Sequence, residues 1–389
     1  MPAPRNADTL TRPTVPSTAS AESSVEIVDP LEFPGWDDSL ATHPQATIFH
    51  TAAWARALVS TYGFKARYQV QRKDRGLTAL LPLMESGSRW RGRRLISLPF
   101  TDACPPLLGP EVSGSVSSRV SGFSTTPEGS LARIAASEPL LAAALRTAEA
   151  TRCQFIELRD CEVWTRGIPA SVAFLGHSIP LHASEEPQLQ LCSPSMRRAL
   201  RKANRGPLRL KEGRDWADVQ AYYSLHCLTR QRHGLPPQPI GFFRNIHRHL
   251  VQKGLGFVIL ALDEGLPIAG AVFFGFGRTA LYKFGASADT HLELRPNNLV
   301  LWQGIRRCAE LGFSALDLGR TSLDNEGLRR FKLGLGGEER LIQYVRQDVR
   351  SGCIVATPDR AQGWHNRVFR RLPRPISRAL GAVMYRFVS

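Results

Sequence analysis

Apolar positions along the chain fall into short blocks whose spacing alternates between helical and strand-like. "VEIVDP" from residue 25 reads as a short strand. "HTAAWARALVSTYG" (50–63) carries apolar residues at helical spacing and ends on Gly63. "ARYQVQRKDRGLTALLPLME" (66–85) reads as a hairpin around Lys-Asp-Arg-Gly, and "RRLISLPF" (93–100) as a further strand. One helix is expected near 131–151, followed by the strand "QFIELRD" (154–160).

The second half runs in the same order. "GFFRNIHRHLVQKG" (241–254) predicts a helix, "FVILALDEGLPIAGAVFFGF" (257–276) a hairpin, and "ALYKFGASAD" (280–289) a strand. "NNLVLWQGIRRCAELG" (297–312) places Asn298, Trp302, Ile305, Ala309 and Gly312 on one helical face, and "FSALDLGR" (313–320) closes the series as a strand. The recurrence points to a duplicated α/β unit: mixed sheets with helices on both faces. Two further helices lie between the halves. They are "SPSMRRALRKANRG" (193–206), capped by Ser193 or Ser195, and "DWADVQAYYSLHCLTRQRHG" (215–234), capped by Asp215 and closed by Gly234.

Composition adds bounds. A chain of 389 residues with 43% hydrophobic content suits two domains. No window approaches eighteen uninterrupted apolar residues, so no membrane span is predicted. Residues 1–24 are rich in Ser, Thr, Pro and Ala without an apolar run; they read as a disordered tail rather than a secretory leader. Residues 112–130 read as a low-complexity loop. Seven scattered cysteines, with no Cys-x-x-Cys pair, fit reduced, mostly buried thiols and give no zinc-ligand spacing.

The formal charge of +16 is concentrated. Residues 193–214 and residues 360–389 each carry a net +7. A polyanion or an anionic membrane surface is the partner such segments suit, and a merely solvated basic face is the plain alternative.

Candidate chemistry gathers in the second half. Asp317 sits on an apolar strand, so its carboxylate needs a partner, with Arg320 and Lys332 the nearest cations in sequence. Ligands of open α/β sheets collect at the carboxyl ends of strands, which is where Gly319, Arg320 and Thr321 fall. Asn325 then caps a short helix, and Lys332 could neutralise a phosphate or an oxyanion, or simply cover a helix C-terminus. In "TRQRHGLPPQP" (229–239), Arg230 needs an anion or carboxylate, and His233 is either a base or a structural hydrogen-bonding group. Tyr282 and Lys283 lie on a strand, and Asn297 and Asn298 open a helix whose free amides suit anions.

"TRQRHGLPPQPIGFF", "LYKFGAS…RPNNLVLW" and "ALDLGRTSLDNEGLRRFKLGLGG" resemble the second half of FemAB-like proteins of the GNAT superfamily, in the subgroup of BioF2-like acetyltransferase domains. "IFHTAAWARALVSTYGF" and "LPLMESG…LISLPFTDACPPLL" resemble that group's first half. The resemblance spans roughly residues 25–345 and implies two tandem GNAT-like domains, here expected at 25–185 and 186–345, before a basic amphipathic extension at 346–389. It implies transfer of an acyl or aminoacyl group to an amine of a cell-envelope glycoconjugate, peptidoglycan or exopolysaccharide precursor. Fem-type enzymes carry a Phe-Lys pair late in the second domain, which Phe331-Lys332 matches.

Asp317, Lys332 and His233 are therefore the expected catalytic residues. Arg230, Tyr282, Lys283, Asn297, Asn298, Arg320 and Phe331 are the expected substrate contacts. The donor is acyl-CoA or aminoacyl-tRNA, with no metal. The long helical arm of some Fem enzymes and the glycine-rich pyrophosphate loop of GNAT enzymes are both missing, so neither donor is singled out. The expected partner is an anionic glycan or lipid-linked precursor. The expected location is cytoplasmic, with the C-terminal segment either resting on the inner membrane face or packing on the core. The alternative is a non-enzymatic basic adaptor for nucleic acid or anionic membrane, although no specific nucleic-acid motif is present.

Overall fold

A computed structural model describes residues 24–73, 76–88, 92–109, 131–357 and 365–385. The tail and the 112–130 loop, apart from residue 24, lie outside them.

The strands are β1 (Val25–Val28), β2 (Lys65–Ala66), β3 (Tyr68–Lys73), β4 (Gly76–Leu81), β5 (Met84–Ser88), β6 (Gly92–Ile96), β7 (Leu107–Leu108), β8 (Cys153–Arg159), β9 (Val172–Pro180), β10 (Arg209–Gly213), β11 (Gly256–Asp263), β12 (Leu266–Phe276), β13 (Thr279–Ser287), β14 (Ala315–Ser322) and β15 (Glu338–Asp348). Four of them form a small sheet in the order β1-β3-β4-β7. The other eleven form one large mixed sheet in the order β10-β11-β12-β13-β14-β9-β15-β8-β6-β5-β2.

Each half contains one parallel strand pair, joined by a helix that crosses over. In the first half β6 runs parallel to β8, and the helix Pro139–Ala150 lies between them in sequence. In the second half β13 runs parallel to β14 around the helix Pro296–Glu310. The last strands are exchanged: β9 of the first half pairs with β14, and β15 of the second half pairs with β8. The two halves therefore share one hydrogen-bonded sheet.

The central strands are buried on both faces, as their unbroken apolar runs require. Val272 and Phe274 of β12 face the helices Trp216–Arg232 and Ile240–His249, while Ala271 and Phe273 face Pro296–Glu310 and Pro194–Asn204. Trp54, Phe242, Phe243 and Phe273 are among the fully buried side chains; burying each contributes roughly 1.5–3 kcal/mol.

Helix ends largely follow local chemistry. Thr51 accepts from the Trp54 amide, Ser193 from the Met196 amide and Asn325 from the Leu328 amide. Three expectations need correction. The helix near 131–151 is two helices, Leu131–Ala135 and Pro139–Ala150, because Pro139 starts a new first turn. Asp215 precedes its helix but makes no side-chain cap. Arg295, in a left-handed conformation, rather than an asparagine, occupies the cap position before Pro296. The C-terminal helix runs Arg374–Met384, with Pro375 in its first turn.

Candidate functional site

Pairing between β13 and β14 lasts only from Thr279↔Ala315 to Leu281↔Asp317. Both strands continue but no longer pair with each other. β14 also carries a bulge between Asp317 and Arg320, turning on Gly319 at φ 70°, a conformation that favours glycine. The two strand ends thus splay at their carboxyl termini.

Asp102, from the loop after β6, sits at this opening. Its carboxylate accepts from Lys283 Nζ at 2.9 Å and lies 3.7 Å from Arg320 Nε. Burial raises the Asp102 pKa, but Lys283 and Arg320 outweigh it and hold the group below the usual aspartate value. Arg320 donates to the Tyr344 hydroxyl at 2.8 Å and stacks 4.1 Å over Phe174; Tyr344 in turn donates to the Asp102 carbonyl. The loop bearing Asp102 is itself held in unusual backbone: Leu98 and Phe100 have φ of 58° and 61°.

Around this ion pair lies a cavity of about 540 Å³. Phe100, Thr101, Asp102 and Arg159 line it from the first half. Tyr222, His226, Thr229, Arg230, His233, Gln238, Lys283, Phe284, Gly285 and Arg320 line it from the second, and Tyr385 from the C-terminal segment. Arg230 donates to the Pro236 carbonyl and to the Tyr385 hydroxyl. His233 sits at the rim; partial burial and Arg232, Arg230 and Arg370 push its pKa down, so it is neutral near pH 7.

The structure thus brings Arg230, His233, Lys283 and Arg320 together. Lys332 is not among the cavity-lining residues. It is 3% exposed and donates to the Gly319 and Arg320 carbonyls at 2.8 and 3.1 Å, tying down the β14 bulge. Burial lowers its pKa to about 8, against Asp102 and Asp317, which raise it. Asp317 makes no direct ion pair with Arg320 or Lys332: its carboxylate accepts from the Gly319 amide at 2.7 Å, and burial raises its pKa against that bond and the charges of Arg340 and Lys332. Arg320 goes to Asp102 instead, because the bulge turns it away from Asp317. Phe331 and Tyr282 pack against the core on the Pro296–Glu310 side.

Residues 193–339 match the family model described as "Acetyltransferase (GNAT) domain". Among solved structures, FemX superposes with a TM-score of 0.61 at 13% identity, over 82% of this chain and 96% of that one. The chain shares the fold of FemX, and its residues 193–339 match a GNAT domain. A tandem GNAT protein from the clavulanic acid biosynthesis pathway gives 0.49 at 11% identity (81% and 94% covered). L-PGS from Bacillus licheniformis gives 0.45 at 10% (82% and 89% covered). Neither of these two bears on the assignment. No curated protein sequence matches the chain.

Within the GNAT domain, the segment before Pro296–Glu310 is where an acyl-donor pyrophosphate would need converging backbone amides. It contains no glycine between Gly285 and Gly304. Asn297 donates to Ser287 Oγ and Asn298 to Met196 Sδ, so both side-chain amides are engaged within the fold. The chain therefore lacks the glycine cradle for a donor pyrophosphate.

Sequence reading missed Asp102, Arg159, Tyr222, His226, Gln238 and Tyr385. Tyr222, His226 and Arg230 do recur at four-residue spacing on one helix, which is a usable signal. Asp102 has a weaker one: a carboxylate in a proline-flanked loop just past a strand end.

Proposed function

We propose that this GNAT-fold protein transfers an acyl or aminoacyl group to an amine of a cell-envelope glycoconjugate, peptidoglycan or exopolysaccharide precursor. One observation carries the reading: the parallel strands of the GNAT domain splay onto a cavity where Lys283 and Arg320 flank the carboxylate of Asp102, and Arg230 adds a further cation to the lining. The cations suit an anionic acceptor, and the carboxylate suits its amine.

In this reading a neutral amine attacks the donor carbonyl and forms a carbon–nitrogen bond. The tetrahedral oxyanion collapses, and the carbon–sulfur bond of an acyl-CoA, or the carbon–oxygen bond of an aminoacyl ester, breaks. The amine proton passes to His233, which is neutral and on the cavity rim, and from there to the leaving group. Lys332 positions Gly319 and Arg320 from behind the bulge and so sets where the Arg320 cation stands in the cavity.

The test is product mass. Purified protein is incubated with acyl-CoAs and, separately, with charged tRNAs against a panel of amino sugars and amine-bearing wall precursors. N-acylated product with at least one donor is expected. No product with any combination would refute the reading.

A second feature bears on location. Val368, Ile376, Leu380 and Val383 are 39–59% exposed among Arg367, Arg370, Arg371, Arg374 and Arg378. The opposite side of the last helix packs inward: a Cβ at Gly381 would meet the Pro237 carbonyl at 2.2 Å. The segment therefore both walls the cavity and presents an apolar, basic face. We read that face as resting on an anionic leaflet at the cytoplasmic side, where a lipid-linked acceptor would lie.

A further inference from the structure

The cavity is lined by two chemically different groups of residues. Asp102, Lys283 and Arg320 are ionic. In the second group, three polar atoms are buried with no hydrogen-bond partner among the described residues: the Tyr222 hydroxyl, His226 Nε2 and Gln238 Oε1. All three residues line the cavity. Tyr222 is fully buried and His226 is 5% exposed.

None of the three can easily find a partner elsewhere in the fold. Tyr222 and His226 are one turn apart on the helix Trp216–Arg232, and Phe243 packs on both rings at 5.9 and 5.1 Å. Gln238 belongs to the Pro236-Pro237-Gln238-Pro239 stretch, where prolines offer no amide donor. The Pro236 carbonyl is already taken by Arg230 and Tyr385. Gln238 lies close enough to favour the His226 imidazolium slightly, yet no hydrogen bond of good geometry joins them.

Leaving a buried polar group unpaired is costly, and here three such groups belong to residues that line one cavity. Together they describe what would pair with them. The Tyr222 phenol stays protonated, since burial raises its pKa well above the ordinary value. His226 stays neutral, since burial lowers its pKa to about 3. A phenol, a neutral imidazole of either tautomer and a primary amide of either orientation are all satisfied by a group that both donates and accepts. A hydroxyl does this. A bare anion cannot donate to Gln238 Oε1, and an alkyl chain would strand all three.

We propose that Tyr222, His226 and Gln238 form a hydroxyl-recognition subsite, so that the acceptor is a polyhydroxylated amine with an anionic group, such as an amino-sugar phosphate. The proposal rests on the cavity being the acceptor site.

Two small probes separate the ideas by isothermal titration: glucosamine 6-phosphate, and phosphoethanolamine, which has the same amine and phosphate but no hydroxyls. Wild-type protein is expected to bind the sugar at least about tenfold more tightly. Tyr222→Phe and Gln238→Met should each erase several-fold of that preference, leave phosphoethanolamine affinity unchanged and not lower the melting temperature. A merely structural role would lower stability and move both affinities together. Equal binding of the two probes, tighter binding of phosphoethanolamine (a lipid-headgroup acceptor), or well-folded variants that keep the full preference would overturn the subsite while leaving the acceptor cavity standing. Binding of neither probe would overturn both.

Discussion

The two parallel strand pairs of this molecule share one plan and end differently. In the first half, β6 and β8 pair from Arg93↔Cys153 to Ile96↔Glu157, with one register shift after Arg93. The strand end is then filled by an ion network. Glu157, 3% exposed, accepts from Arg159 at 2.7 Å and from Arg346 Nε at 2.9 Å. Arg159 also donates to the Leu98 and Thr101 carbonyls. In the second half, β13 and β14 part earlier and their ends surround a cavity. The carboxylate there, Asp102, comes from the first half. In the first half the strand itself supplies the carboxylate, Glu157; in the second a neighbouring loop supplies it, Asp102.

The largest effect should come from breaking the closed end. Glu157→Ala leaves Arg159 and Arg346 facing each other without their carboxylate, and breaking a buried pair this way typically costs about 3–5 kcal/mol. Chemical denaturation measures it; a loss below about 1 kcal/mol would mean the network does not seal that end.

At the open end the expected loss is in rate. Lys332→Ala should lower transfer roughly a hundred- to a thousand-fold, because it removes the ties to Gly319 and Arg320 that set the Arg320 cation in the cavity. Turnover near wild type would remove Lys332 from the account.

Asp102→Asn should cost about 1–3 kcal/mol at neutral pH by stranding Lys283. The sign of its pH dependence follows from a depressed folded pKa. Asp102 contributes fully above the ordinary aspartate value of 3.8, and the contribution fades as pH falls through its lower folded value. The stability gap between wild type and variant should therefore stay constant from pH 7 to about 5 and close below about 4. A gap that widens in acid would mean that Asp102 is not ionised in its pair.

The smallest effect on stability, within about 0.5 kcal/mol, is expected from Ile376→Ser, Leu380→Ser and Val383→Ser combined, since all three are exposed. Sedimentation with anionic vesicles should nonetheless fall sharply. Unchanged vesicle binding would place the membrane contact elsewhere or nowhere.

These differences also show what sequence can convey. The repeat, the mixed sheet and most of the principal helices follow from periodicity, because alternation and glycine or proline punctuation act over a few residues. Arg230, His233 and Arg320 were recognisable because each lies near an element end in the second half, and Lys283 because it is a lone charge on an otherwise apolar strand. Asp102 was not, because its partner Lys283 is 181 residues away and only the shared sheet brings them together. Lys332 could be read as a helix-end surface lysine. Its burial depends on the Gly319 bulge, which no local pattern in the helix announces. The break at Pro139 was legible but overridden by the surrounding alanine-rich periodicity.

The central claim, that the open end is the acceptor site, is tested most directly by a crystal structure with glucosamine 6-phosphate bound. The account predicts the phosphate against Lys283, Arg320 or Arg230, the ring hydroxyls at Tyr222, His226 and Gln238, and the amine towards Asp102. Density for the ligand on the basic helix Pro194–Asn204 with the cavity empty would contradict it.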